Sequence, residues 1–260
     1  LVDQRKRNRV THNMLGGLLM KPVETYYEIV VELLKEITQT QQENIKKAAS
    51  YMTDVIVRDG LIYVFGTGGH SYIVSEEITS RAGGLTPVFP IWDPGISLSF
   101  GCRRSSAIER MPGYAQRVLE NYPITTNDCI VIGNAYGINS CTIDTAMWAK
   151  EKGIKSIAIT SPGFSKNIPD DHAARHPSKK NLFEVVDCYI DNKMPGLDVQ
   201  VSPVSTILNC FVVNSLVAEV AAQLLDRGIT PPIWMSGNIP GGDEANADME
   251  AKLAKRVHFF

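Results

Sequence analysis

Short apolar runs decide most of what this chain can become. Leu61 to Phe65 reads LIYVF, Cys129 to Gly133 reads CIVIG and Ser156 to Thr160 reads SIAIT. None alternates as a strand with one wet face does, so each is expected to be buried on both sides, in a parallel sheet covered by helices. Val185 to Ile190 (VVDCYI) and Thr86 to Trp92 (TPVFPIW) make two more strands, and Pro87 and Pro90 push the latter to an edge. Helical spacing fills the gaps, over Ala107 to Leu119 and from Ser140 to Lys152, where Gly153 closes the helix. Strands alternating with helices call for an α/β fold, a doubly wound sheet of five mainly parallel strands with right-handed crossovers.

Ahead of the first strand, Tyr26, Val30, Leu33 and Ile37, then Ile45, Ala49, Met52 and Ile56, recur at helical spacing over Pro22 to Val57. Residues 22–260 are read as one domain with these N-terminal helices and a C-terminal tail. Residues 1–21 are set apart as an extension of processed or vector-derived origin.

A net charge of -2 and a pI near 6.2 argue against a nucleic-acid partner or an anionic membrane surface. Pro203 to Leu225 is nearly apolar all round, but Asn209, Asn214, Glu219 and Gln223 interrupt it. It is expected to be a buried helix rather than a membrane span, and a dimer interface would bury it. The five cysteines have no CxxC spacing, which predicts reduced, buried small hydrophobes in a cytoplasmic protein, with no metal and no cofactor.

Candidate chemistry collects at two turns. After the first strand, Gly66, Gly68 and Gly69 let the backbone approach a ligand, and a helix expected from His70 onward would turn its bare N–H groups to an anion. A plain strand-to-helix connection is the alternative. The polar turn Asn134 to Ser140 follows the third strand, and both turns fall at the carboxyl edge of the sheet, where such folds bind ligands. The aperiodic segment Ser161 to Asn181 holds Lys166, His172, Arg175, His176, Lys179 and Lys180, and reads either as a solvated flexible loop or as a lid bringing positive charge to a phosphate.

Gly66 to Ser71 (GTGGHS), Glu76 and Glu77 with RAGGL at 81–85, and the glycine-containing turn at 134–140 resemble SIS (sugar isomerase) domain proteins. The tail, with Pro231-Pro232, Ser236-Gly237-Asn238 and GGDE at 241–244, is similar to uncharacterised bacterial SIS proteins named as phosphosugar or phosphoheptose isomerases. The resemblance implies a three-layer αβα, Rossmann-like domain, a homodimer or higher homo-oligomer, and a phosphosugar or related carbohydrate ligand. It puts Gly68, Gly69, Ser71, Asn134, Tyr136, Gly137, Asn139 and Ser140 at the ligand. Asn134 and Tyr136 stand where the family's second turn has serines, and Tyr136 would take space that a phosphate normally uses.

Aldose-ketose isomerisation needs a base and a donor to the enediolate oxygen. The resemblance implies Glu77 as the base. If helical, His70 would lie on the same face, about 10.5 Å along the axis, to assist ring opening or donate to O1 or O2. Glu77 is also placed to pair with Arg81 at i,i+4. Ile73 falls where phosphoheptose isomerases carry a metal-binding histidine, so zinc is not expected. Glu244 is a lesser candidate, supplied from a neighbouring subunit or serving only as a turn residue. The alternatives to an isomerase are a non-catalytic phosphosugar sensor and an amino-sugar phosphate lyase or etherase.

Overall fold

The computed structural model describes residues 21–195 and 202–256. Except for Lys21, the expected N-terminal extension lies outside the described residues, as do residues 257–260 of the tail.

Two helices, α1 (Pro22–Thr40) and α2 (Gln42–Val57), precede the sheet, and Pro22 sits at a helix start where its missing N–H costs nothing. Buried Gln41 separates them, and its Oε1 accepts the backbone N–H of Asp191 at 3.0 Å, which ties the break to the sheet. The strands are β1 (Ile62–Gly66), β2 (Val88–Pro90), β3 (Cys129–Gly133), β4 (Lys155–Thr160) and β5 (Cys188–Asp191). All pairings are parallel, in the order β2-β1-β3-β4-β5. The proline-flanked strand is indeed at one edge.

Side chains leave each strand alternately to two cores. Ile62, Val64, Val131, Ile157 and Ile159 join the layer of α1, α2, α3 (Ile73–Ile78) and α9 (Ser205–Asp226). Tyr63, Phe65, Ile130, Ile132 and Ala158 join the opposite layer, which includes α5 (Tyr114–Leu119) and α6 (Ser140–Glu151). Burial on both faces is why the runs lack alternation, and each fully buried Val or Leu contributes roughly 2 kcal/mol.

Helix α9 is long and apolar enough to cross a membrane by length and composition. Its Leu208, Val212, Leu216, Val220 and Leu224 are nonetheless buried in the first core. Of the cysteines, Cys129, Cys141 and Cys188 are buried, but Cys102 is exposed and Cys210 only partly covered, so the expectation of burial fails for those two; all five are free thiols.

Three expected elements change their limits. The helix read from His70 starts only at Ile73 and stops at Ile78; Gly68 to Tyr72 form a separate turn before it, with Tyr72 N–H donating to Gly68 O at 2.9 Å. The helix read over 107–119 is two, α4 (Cys102–Glu109) and α5, parted at Gly113, whose φ of 81° no regular helix accepts. Val185 belongs to α8 (Leu182–Val185) rather than to β5, because Asn181 and Glu184 form a reciprocal capping box that starts a helical turn. The remaining elements are α7 (Pro162–Ser165), α10 (Gly242–Leu253) and a 3-10 turn over Leu98–Phe100.

Candidate functional site

The chain leaves β1 for one edge of the sheet, β2, and returns to β3 on the other side of β1. The turns after β1 and β3 therefore flank the topological switch point, where adjacent connections part and open a crevice. Gly66 and Gly133 end the two strands in register. Thr67 N–H donates to Gly133 O at 3.0 Å, and the hydroxyls of Thr67 and Thr142 lie 2.7 Å apart, so the first turn is bonded to both ends of the second.

The second turn is held from within. Asn134 Oδ1 accepts the N–H groups of Tyr136 at 3.1 Å and Gly137 at 2.8 Å, an internal turn that a serine hydroxyl would hold more weakly. Gly137 has φ of 64°, and a Cβ there would collide with Thr160 Oγ1 and lie 3.1 Å from Leu182 Cβ. Behind the turn, Leu182 N–H donates to Gly137 O and His176 N–H to Ile138 O, each at 2.8 Å. Asn139, the residue before α6, is buried in extended backbone and points Nδ2 to Ala174 O at 3.4 Å.

Helix α6 then starts with no side chain capping its first N–H groups. Its first residue, Ser140, is 1% exposed, and its hydroxyl has no hydrogen-bond partner among the described residues. Thr160 Oγ1, beside Gly137, is likewise buried without a partner. Orphaned hydroxyls at a helix N-terminus suit an anion, which supplies acceptors where bare N–H groups and a positive dipole end meet. Tyr136 does not fill this place. Its side chain is exposed, and its ring packs at a tilt against Phe164 of α7 with centroids 4.4 Å apart.

The first turn is different. His70 is exposed and precedes α3, so it shares no helical face with Glu77. Glu77 has both carboxylate oxygens engaged: Arg81 Nη1 donates to Oε2 and Asn214 Nδ2 to Oε1, each at 2.8 Å. It thereby fastens α3 to α9. Ser71 is buried. The position a Cβ would take on Gly68 lies 3.0 Å from Glu109 Oε2, 3.1 Å from Asn134 Nδ2 and 3.8 Å from Ser71 Oγ.

Glu109, the last residue of α4, therefore lies against the first turn close to Asn134 and Ser71, and sequence reasoning missed it. Gly69 N–H donates to its carboxylate. Burial nonetheless pushes its pKa above the ordinary glutamate range, against that hydrogen bond and the charges of Arg110 and His70. No spacing marks Glu109, because a helix of eight residues parked over a turn has too short a period to read.

The segment 161–181 is an ordered cover behind the second turn. Arg175 is buried, with Nη2 donating to Ser165 O at 2.6 Å and Nη1 to Asn181 Oδ1 at 3.1 Å. His176 Nε2 lies 3.1 Å from Asp144 Oδ1 on α6. Both side chains are committed to the loop's own architecture, and Lys179 is exposed at φ of 60°. Glu244 is exposed in the first turn of α10 and makes no hydrogen bond or ion pair among the described residues. Ile73 opens α3, and α9 has no histidine, so the residues present do not fit a phosphoheptose-isomerase metal site; the described residues bring no three His, Cys, Asp or Glu side chains around one point. A groove of about 430 Å³ opens at the β2 edge, lined by Phe89, Trp92, Asp93, Tyr114 and Tyr122 among others, and shares no residue with either turn.

A family model described as the SIS domain matches residues 25–161. Among curated proteins, a UPF0309 protein of Geobacillus kaustophilus is 37% identical over 244 residues, covering 90% of this chain and 95% of that one. One from Listeria innocua is 32% identical over 244 residues, 90% of this chain and 97% of its own. Of solved structures, a phosphoheptose isomerase from Neisseria gonorrhoeae superposes with a TM-score of 0.55 at 14% identity, over 78% of this chain and 99% of its own. The Vibrio vulnificus NanR protein complexed with ManNAc-6P gives 0.51 at 11% identity, over 94% of this chain and 74% of its own. At these identities the structures bear on the fold alone, which in this chain is a five-stranded parallel sheet flanked by helices.

Proposed function

From the premise that this chain belongs to the SIS domain family, we propose that it binds a phosphorylated sugar or sugar derivative with the phosphate at the N-terminus of α6 and the sugar lying toward the first turn. We take the reaction to be proton transfer of the aldose-ketose type. The observation that carries the reading is the buried, unpartnered Ser140 hydroxyl beside the uncapped first turn of α6. A phosphate oxygen would accept from that hydroxyl and from the helix N–H groups, and a site built this way in a water-excluded crevice favours a dianion over a neutral sugar. The fold relative solved with ManNAc-6P lends the sugar-phosphate class further support.

The test is a thermal-shift and calorimetric panel of hexose, heptose and amino-sugar phosphates beside their unphosphorylated parents. Stabilisation by phosphorylated members alone is expected, and equal stabilisation by the parents would overturn it. Glu77, the base that the resemblance puts forward, has both oxygens held by Arg81 and Asn214. That favours a second reading, a phosphosugar sensor, unless another group in the crevice moves the proton. Binding without turnover would support the sensor.

A further inference from the structure

We propose that Glu109 is the group that takes the proton from the sugar carbon next to the carbonyl, so that the chemistry of the first turn is supplied by α4 and not by α3. The inference rests on the phosphosugar reading above and goes beyond it by assigning the base.

Four observations place Glu109 there. Its Oε2 shares one small volume with Asn134 Nδ2 and Ser71 Oγ, all within 3.8 Å of the point a Gly68 side chain would occupy. A side chain on Gly68 would crowd the carboxylate, so the glycine leaves room for it beside the turn. Gly69 N–H donates to it, which fixes its direction, while His70 stands near enough to act on its charge. On the other side its charge also acts on Cys141, the second residue of α6, the helix at whose start the phosphate is proposed to bind. A sugar anchored by its phosphate at Ser140 and reaching the first turn would have to pass it.

The protonation chemistry agrees. Carbon acids need a base strong enough to take the proton and weak enough to be free at the working pH, and burial raises Glu109 toward that range. Glu77 already has both oxygens committed to hydrogen bonds from Arg81 and Asn214. In the step proposed, the Glu109 carboxylate accepts the C2 proton of the open-chain aldose and the C–H electron pair becomes the C1–C2 double bond, leaving the charge on O1. Asn134 Nδ2, or the Ser71 hydroxyl, donates to that oxygen. A proton passes from O2 to O1, the O2 charge collapses into a C2 carbonyl, and Glu109 returns its proton to C1. No oxidant or co-reactant is consumed.

The experiment follows the panel above into deuterium oxide, reading by NMR both wash-out of the C2 proton and migration of the carbonyl, in wild type, Glu109→Gln, Glu109→Asp and Glu77→Gln. The wild type is expected to bind and to show exchange or migration. Glu109→Gln keeps the Gly69 bond and should bind within about threefold of wild type while losing roughly a hundredfold or more in rate. Glu109→Asp, a carboxylate set back by one carbon, should recover part of that loss, which a merely structural role would not require. Glu77→Gln should lower the rate less than tenfold. Overturning results are a Glu109→Gln rate within tenfold of wild type, a larger loss in Glu77→Gln than in Glu109→Gln, or wild-type binding with neither exchange nor migration; each leaves the phosphosugar reading standing. No binding of any phosphorylated sugar by the wild type would remove both.

Discussion

The two turns at the switch point are written alike and built differently. Each follows a strand ending in glycine, Gly66 or Gly133, and each carries a serine at the end of the turn, Ser71 or Ser140. In the second turn, Asn134 satisfies the loop's own N–H groups, and a helix of twelve residues begins at once with its first N–H groups uncapped and a hydroxyl unpartnered. In the first, the helix is only six residues long and starts two residues after the serine, and a carboxylate of the protein itself accepts from Gly69. A glycine-rich turn is thus no guarantee of an anion site. What decides is whether the protein supplies its own acceptor, and by that criterion the second turn is the one suited to an anion, while the first is the one we propose to act on what the anion positions.

The largest test of the contrast is steric. Gly137→Val must place a β-branched residue at φ of 64°, with its Cβ against Thr160 Oγ1 and Leu182. The expected loss is about 3 kcal/mol of unfolding free energy or more, read by urea titration, together with loss of phosphosugar binding. Gly68→Ala meets first the movable end of the Glu109 side chain, 3.0 Å away, and should fold within about 1 kcal/mol of wild type. Equal damage at the two glycines would break the comparison.

Next is Ser140→Ala. Removing a hydroxyl that has a partner normally destabilises, but this one is buried without any, so stability should be unchanged or slightly raised. Affinity for a phosphosugar should nonetheless fall about tenfold, since the hydroxyl's acceptor arrives only with the ligand. Calorimetry and urea unfolding on the same variant separate the two effects. A drop in stability with unchanged affinity would make Ser140 a structural residue.

How far the sequence reveals this pattern depends on what kind of contact made it. Strands buried on both faces announce themselves as unbroken apolar runs, so LIYVF and CIVIG locate β1 and β3, and with them both turns, almost to the residue. Gly137 and Ser140 are legible because a turn needs one and a helix start favours the other. Glu109 is not legible, since its role comes from α4 folding back over Gly68, a contact between residues about forty positions apart with no shared period. The reach of α3 is overestimated for a related reason: EEITSR has the composition of a helix, but Thr79 turns to extended backbone and ends it. Arg175 and His176 look like lid cations in sequence, and only the carbonyls and carboxylate they bind in the folded chain show that they hold the cover in place.

A smaller effect concerns Glu77. If it is a fastener between α3 and α9, Glu77→Ala should cost about 1 kcal/mol of stability, a modest figure because Arg81 is more than half exposed and solvent screens the pair. Asn214→Ala should cost a similar amount, and the double variant less than the sum, because both remove the same bond. Phosphosugar affinity should be unaffected in all three. Strict additivity between the two sites would deny the fastening role.

The smallest effect, and the one most specific to the first turn, is in the pH dependence of stability. Burial disfavours the ionised form of Glu109, so the folded protein keeps that proton to a higher pH than the unfolded chain does. Between the ordinary glutamate pKa and the raised folded value the native state binds more protons, and stability falls as pH rises through that window. Other carboxylates act oppositely. For Asp187, burial is outweighed by hydrogen bonds from Lys155 and Ser156, so its pKa is lowered and its stabilisation is lost as pH falls through the folded value. The two slopes overlap in the wild type, and the difference between wild type and Glu109→Gln isolates the first. Glutamine accepts from Gly69 without titrating, so the variant should gain on the wild type as pH rises above the glutamate range and then hold a constant lead. A phosphate bound at α6 adds negative charge near Glu109 and should move that window to higher pH; an identical window with and without ligand would place Glu109 too far from the phosphate for the two turns to act on one molecule.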